Sequence, residues 1–358
     1  MSSIWIIVAL ILGFIVTFQI AKASEYVAIL RGEEKSRKES NRINAFLLLA
    51  FLVIGLIGVV YCNERLKGKI LGPSASVQGE HIDTMIEITL WVTGIVFVLT
   101  QVLLFWFAFK YQESDKRRAY YFPHDNKLEL IWTVIPAIVL TVLVGFGLYY
   151  WFQITGEAPK NAQVVEVTGS QFKWEYRYPG KDGILGKKYY KNIDETKSNP
   201  LGQIWDDKAN HDDIYASGEM HIVVNKPVKL VIGAKDVIHD VGLVHFRMKM
   251  DAVPGIPTTL WFTPKFTTAE MKKKYGPDFT YELSCDQMCG AGHTGMRGTI
   301  VVETQVEFDR WLAGQKPKYA EAVTSVNNGP LPTTVAGKSD STKPASEVKT
   351  TVEPKVNL

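Results

Sequence analysis

Four stretches of this chain contain no charged residue: 1–21, 43–63, 88–109 and 130–156. Each is rich in Leu, Ile, Val and Phe. A helix needs about 20 apolar residues to cross the ~30 Å hydrocarbon layer of a bilayer. Four transmembrane helices are therefore predicted. Beyond Phe152 the pattern shortens. Segments 164–168, 174–178, 220–224, 228–232, 280–284 and 299–302 are rich in β-branched and aromatic residues, and several alternate with period two, as half-buried strands do. Turn signals such as Val253-Pro254-Gly255 separate them, and many short strands with such turns predict a small β-sandwich or barrel. Residues 180–215 break the pattern with a polar stretch that reads as an inserted surface loop. A short closing helix is predicted over 306–312. Residues 316–358, where Pro, Ser, Thr, Lys and Val alternate without period, read as a disordered tail.

Composition changes this picture little. The chain is 46% hydrophobic and 22% charged, averages that hide a greasy first part and a polar remainder. A formal charge of +3 excludes a nucleic-acid partner held by bulk charge. The basic residues set an orientation. Lys22, Arg31, Lys35, Arg37, Lys38 and Arg42 lie between the first two spans, and Lys110, Lys116, Arg117, Arg118 and Lys127 between the third and fourth. The positive-inside rule puts both loops in the cytoplasm, with both termini and the β-rich part outside. Ala21-Lys22-Ala23 looks like a signal-peptidase site, but Met-Ser-Ser-Ile lacks a basic n-region, so the first helix is expected to be retained.

The candidate chemistry lies between Cys285 and Met296. Cys285, Cys289, His293 and Met296 place two thiols, an imidazole and a thioether within twelve residues. Met is a poor ligand for zinc, whereas soft sulfur beside imidazole suits copper. A single-copper electron-transfer site uses one Cys, two His and a weak Met. Here there are two Cys, and thiolates can bridge two metals, so a dinuclear copper site is the sharper reading. The second imidazole must come from elsewhere, and His239 directly follows a predicted strand. Gly290, Gly292 and Gly295 let the loop fold tightly. The bland alternative is a Cys285–Cys289 disulfide, which leaves His293 and Met296 without a role.

With those residues in view, 80–315 resembles subunit II of the haem–copper cytochrome c oxidases. The family pattern Cys-x-Glu-x-Cys-Gly-x-x-His-x-x-Met is matched at Cys285, Cys289, Gly290, His293 and Met296. Asp236-Val237-Ile238-His239, Asp251-Ala252-Val253-Pro254-Gly255 and the span opening Glu129-Leu130-Ile131-Trp132 match three further segments. The resemblance implies four regions. Residues 1–62 are two extra transmembrane helices without a counterpart in the usual subunit, and 80–152 are the transmembrane hairpin of subunit II type. Residues 157–315 are a periplasmic domain, an all-β cupredoxin-like Greek-key sandwich carrying the insertion 180–215, and 316–358 are the tail. It further implies a CuA centre of two copper ions held by His239, Cys285, Cys289, His293, Met296 and the backbone carbonyl of Gln287. The family has Glu at position 287, whose carboxylate reaches a magnesium or manganese ion. Gln287 lacks the anion that hard cations favour, which puts that second metal in question.

By the same resemblance the protein is the electron-entry subunit of a terminal oxidase, and no oxygen chemistry occurs in this chain. It takes electrons from a cytochrome c and passes them to haem in subunit I, beside subunit III, where dioxygen reduction is coupled to proton translocation. Glu129 corresponds to a glutamate at the mouth of a proton channel. The motif leaves open a CuA subunit of a nitric oxide reductase, or a membrane-anchored copper carrier. Electron entry maps to Phe172 and Trp174 in Gly169-Ser170-Gln171-Phe172-Lys173-Trp174, where the family's first Trp is Phe172. Lys173 flanks it, and the insertion adds Lys181, Lys187, Lys188 and Lys191. Without a strong acidic field to steer a basic partner, the expected donor is a cytochrome domain held by a partner complex that docks on residues 1–62. The alternative is an acidic patch at Asp206, Asp207, Asp212 and Asp213.

Overall fold

The computed structural model describes residues 2–69, 72–114 and 116–326; residues 327–358 of the expected disordered tail lie outside the described residues. The chain divides into two compact units. One comprises the residues up to 72 and 84–146, the other 73–83 and the residues from 147 on.

The first unit is helical. Helices α1 (Ser2–Arg31), α2 (Glu33–Leu66), α3 (Val77–Lys110) and α4 (Asn126–Thr155) are long and apolar enough to cross a membrane. They coincide with the four uncharged stretches but run beyond them. The charged segment 22–42, expected as a loop, is helical except at Gly32, whose φ of +88° only glycine adopts without strain. Pairs at helical spacing, Lys22 with Glu25 and Lys38 with Glu34 at 2.8 Å each, support the continuation. Helix α2 packs on α3 through Phe46–Phe109 and Phe51–Phe105, with ring centroids 5.2 and 5.8 Å apart. Arg37 of α2 pairs with Glu113, just past α3, at 3.3 Å.

The second unit is a sandwich of two five-stranded sheets. The first contains β1 (Gln163–Ser170), β2 (Lys173–Tyr178), β3 (Ile214–Ser217), β5 (Val228–Ala234) and β8 (Thr258–Phe262), in the order β3-β2-β1-β5-β8. The second contains β4 (Glu219–Val223), β6 (His239–Leu243), β7 (Met248–Ala252), β9 (Tyr281–Cys285) and β10 (Arg297–Glu303), in the order β4-β10-β9-β6-β7. Parallel pairs β1–β5 and β10–β4 sit among antiparallel ones. Alternation puts Leu230, Ile232, Leu260 and Phe262 of one sheet and Val241, Leu283, Ile300 and Val302 of the other into a common core. The closing helix is α6 (Gln305–Ala313), after α5 (Thr268–Tyr275); both start with a capping box, at Thr304–Glu307 and Thr267–Glu270.

Three expectations need correction. First, the sandwich begins before residue 157, because 73–83 belong to it. Ala75 and Ser76 are fully buried, Ala75 N–H donates to the His245 carbonyl at 2.8 Å, and Arg247 grips Asp83 at 2.6 and 3.2 Å. Second, the tail opens with a helix, α7 (Lys318–Val326). Tyr319 stacks on His211 at 3.9 Å and Ala322 is buried, so apolar contacts order this stretch despite its composition.

Third, the insertion is not merely a surface loop. It buries Leu201 and Trp205, and it covers the outer face of β1 and β2. There Arg177, opposite Glu166 in the β1–β2 ladder, is 2% exposed. It donates to Glu166 at 2.6 Å, Asp213 at 2.9 Å, Asn210 at 3.0 Å and the Gly186 carbonyl at 2.9 Å. A buried guanidinium is tolerated only when ringed by acceptors in this way. Burial would raise the Glu166 carboxyl, but Lys188 and Arg177 outweigh it and hold it below the ordinary range. Burial pushes the Asp213 carboxyl up to about 6 against the pull of Arg177.

Candidate metal centre

The donors gather at one end of the sandwich. Cys285 closes β9 and His239 opens β6, strands that pair at Val241↔Cys285. The loop between β9 and β10 carries Gln287, Cys289 and a single 3-10 turn, His293–Gly295, and returns to the sheet at Met296. Hydrogen bonds from His293 N to Gly290 O and from Met296 N to His293 O keep it compact. Gly290, at φ +135°, takes a conformation closed to side-chain-bearing residues.

The distances are consistent with a shared site. Cys285 Sγ is 3.7 Å from Cys289 Sγ and 3.8 Å from His239 Nδ1. Cys289 Sγ is 3.7 Å from His293 Nδ1 and 3.9 Å from Met296 Sδ, and the Gln287 carbonyl lies 3.2 Å from Cys285 Sγ. The ligating atoms of His239, Cys285 and Cys289 all fall within 4.8 Å of one another, and all three residues are buried. A sulfur–sulfur separation of 3.7 Å is far beyond the ~2.05 Å of a disulfide, so both thiols are free. Burial, reinforced by the neighbouring Cys285, pushes the Cys289 thiol up to about 11. Ionising it near neutral pH therefore takes a cation, and metal binding releases the proton. Two thiols 3.7 Å apart, with an imidazole and a carbonyl against Cys285 and an imidazole and a thioether against Cys289, fit a copper pair and use every donor.

Residues beyond the donor set hold it. His239 Nε2 is 2.8 Å from Asp236 Oδ1, which leaves Nδ1 facing the sulfurs. Such carboxylate–histidine pairs orient metal ligands, and the i−3 spacing was a signal the sequence offered. Burial raises the Asp236 carboxyl, but His239 and the amides of Gln171 and Val237 outweigh it and keep it low. Gln171 contributes its N–H to Asp236 Oδ2 at 2.7 Å and its side-chain Nε2 to the Cys289 carbonyl at 2.6 Å. No role for Gln171 was evident from the sequence.

The other predicted positions separate. Phe172 is 41% exposed, with its ring against Gly290 and Gly292; a Cβ on Gly292 would come within 2.5 Å of it. Trp174, expected as a second entry residue, is 1% exposed and packs edge-on to the His239 ring at 6.0 Å. It cannot touch an electron-donating partner protein, because the sandwich encloses it. Glu129 lies in the first turn of α4, with His124 Nδ1 at 3.8 Å, and is not among the donors. His245 is flanked by the rings of Phe279 and Tyr281 and stays outside the cluster. The lysines near Phe172 are compensated: Lys173 binds Glu195 at 2.7 Å, and Lys235 pairs with the fully buried Glu175. The candidate acidic patch loses Asp213, which is buried against Arg177.

Comparison with known proteins follows this geometry. The model of the cytochrome c oxidase subunit II transmembrane domain matches residues 64–149, and that of its periplasmic domain matches 163–305. The alternative cytochrome c oxidase subunit 2 of Bradyrhizobium diazoefficiens is 35% identical over 237 residues, covering 66% of this chain and 80% of the relative. The chain belongs to the cytochrome c oxidase subunit II family. As a subunit II it is part of a haem–copper oxidase, an oxidoreductase complex, and is a membrane protein whose β-sandwich lies outside the cytoplasm. The cytochrome c oxidase subunit 2 of Cereibacter sphaeroides is 26% identical over 274 residues, 75% of this chain and 85% of that one. Among solved structures, the periplasmic domain of subunit II of the Bradyrhizobium japonicum oxidase matches with 22% identity and a TM-score of 0.32, covering 46% of this chain and 99% of that domain. Residues 1–63 of this subunit II precede the matched stretches.

Proposed function

We propose that His239, Cys285, Cys289, His293 and Met296, with the carbonyl of Gln287, hold the two copper ions of a CuA centre. In this reading the subunit receives electrons from a cytochrome c and delivers them to haem in subunit I, where dioxygen is reduced with proton translocation. The observation that carries it is a pair of buried thiols 3.7 Å apart, Cys285 with His239 at 3.8 Å and Cys289 with His293 and Met296 at 3.7 and 3.9 Å. Copper held there supplies one-electron redox chemistry shared between two ions. The chain's part is to fix the ligands. The β6–β7 ladder clamps His239 and the β6–β9 ladder Cys285, Asp236 sets the His239 ring, and the Gly290–Met296 turn fixes His293 and Met296. Ligands that cannot move between redox states keep the reorganisation energy small, and burial tunes the potential.

Phe172 is the entry point on this reading, because its ring is exposed and touches the copper loop. The lysine–glutamate pairs beside it leave no acidic field, which favours a donor held by a partner complex over one steered through solution. Residues 1–62 are proposed as the docking surface for that complex, with both termini periplasmic. Glu129 is proposed to stand at the mouth of a proton pathway. Gln287 lacks the carboxylate that would serve a magnesium or manganese ion, and no step is assigned to one.

The test is metal and haem analysis of the purified complex. Two copper ions per copy of this subunit beyond the one of the haem–copper centre in subunit I, a half-integer spin delocalised over that pair, and co-purifying haem a are expected. Only one copper beyond that of subunit I would sink the CuA reading. Haem b with non-haem iron would point to a nitric oxide reductase.

A further inference from the structure

We infer that Gln171 is a positioning residue for the metal loop, acting through its side-chain amide as the donor that fastens Cys289 beneath Phe172. The inference rests on the proposed CuA reading and adds to it a residue outside the donor set. The turn between β1 and β2 touches the candidate centre in three places. The Gln171 backbone N–H reaches Asp236 Oδ2 at 2.7 Å, and the other oxygen of that carboxylate holds His239. The Gln171 side chain reaches over the loop to the Cys289 carbonyl at 2.6 Å. The Phe172 ring then lies on Gly290 and Gly292, where added Cβ atoms would come within 3.1 and 2.5 Å of it.

These contacts make one short turn the fastener for ligands from two separate parts of the chain. His239 stands on β6, bound through Asp236, while Cys289 lies in the β9–β10 loop, just before the backbone bonds that join residues 290–296. The loop carbonyl at Cys289 accepts from an amide, so the chemistry required is a donor of that reach. An apolar side chain of equal length fills the space and leaves the carbonyl to water. The glycines have a matching reason: a Cβ at 290 would come within 2.9 Å of the Gln171 amide nitrogen itself, and one at 292 within 2.5 Å of the Phe172 ring. The residue identity at 171 thus links the entry aromatic to the order of the copper loop.

The experiment uses the intact purified oxidase with Gln171→Met and Gln171→Lys. Both variants are compared with wild type by copper content, the spin-resonance spectrum and the rate of copper loss to an external chelator. Gln171→Met keeps shape without a donor. It should assemble with two coppers but lose them roughly two- to tenfold faster, the range expected for one net hydrogen bond, with altered copper hyperfine splittings. Gln171→Lys keeps a donor of similar reach and should lose copper at close to the wild-type rate. A Met variant that matches wild type in both rate and spectrum overturns the inference. So does a Lys variant as labile as the Met variant, since supplying a donor at position 171 would then restore nothing. If wild type itself holds no copper pair, it is the CuA reading that fails; a copper pair insensitive to position 171 removes only this inference.

Discussion

The two ends of the β-sandwich use polar and reactive side chains in opposite ways. At the metal end, five of the candidate donors come from residues 285–296 and one from His239, and each is inert packing until a cation joins them. On the outer face of β1 and β2, Arg177, Glu166, Asn210 and Asp213 come from distant stretches of chain and pair through the guanidinium. The first arrangement needs a metal ion to join its donors; the second is held by its own ion pairs and hydrogen bonds. The metal end should therefore fail in function before it fails in folding, and the arginine cluster the reverse.

The largest expected effect is at the metal end. Cys285→Ser or Cys289→Ser leaves one sulfur where two ions need a shared pair, and should abolish the delocalised copper signal altogether. The hydroxyl is close in size to the thiol, so the oxidase should still assemble and bind its haem. Haem content and spin resonance on the same preparation check both halves. Assembly lost together with the signal would erase the contrast between the two ends.

Arg177→Met is the converse. It leaves Glu166 and Asp213 buried without their guanidinium, and breaking a buried pair in this way costs about 3–5 kcal/mol. Thermal unfolding of the sandwich in the purified complex should fall by many degrees. Copper loaded at low temperature should keep an unchanged spectrum, because Arg177 touches none of the metal donors.

The same contrast explains what could be read from the sequence. The metal loop was legible because its signal is local: four donors at fixed spacing plus glycines. The membrane helices were legible because hydropathy is also local, although their ends were not, since i,i+3 and i,i+4 ion pairs carried α1 and α2 past the uncharged stretches. Among the strands, β6 was hidden by its sequence His-Asp-Val-Gly-Leu, and β7 by Lys, Asp and Ala, which favour strands poorly. Both form because partners exist across the ladder. The segment 73–83 gave no sign that it belongs to the sandwich, because its burial depends on backbone pairing with residues 263–265. The Arg177 cluster was invisible for the same reason: a polar stretch reads as a surface loop until its acceptors are seen to meet a buried charge.

The smallest expected effect probes that cluster by pH. The Asp213 carboxyl stands at about 6 in the folded chain, against an ordinary 3.8, because burial disfavours its charge more than Arg177 restores it. The folded state therefore holds this proton more tightly than the unfolded state. By linkage, Asp213 removes stability as pH rises from about 4 to about 6, and its contribution is constant above that. Two pKa units correspond to roughly 3 kcal/mol at most. Glu166 acts with the opposite sign, since its lowered carboxyl adds stability that is lost as pH falls. The wild-type profile mixes the two, so the informative quantity is the difference between Asp213→Asn and wild type. Asparagine keeps an acceptor toward Arg177 and the Gly186 amide but does not titrate. Unfolding temperatures measured from pH 4 to 8 should show the variant gaining on wild type between pH 4 and 6 and running parallel to it above 7. A difference that is flat over the whole range would mean that Asp213 is ionised throughout, held as firmly by Arg177 as Glu166 is.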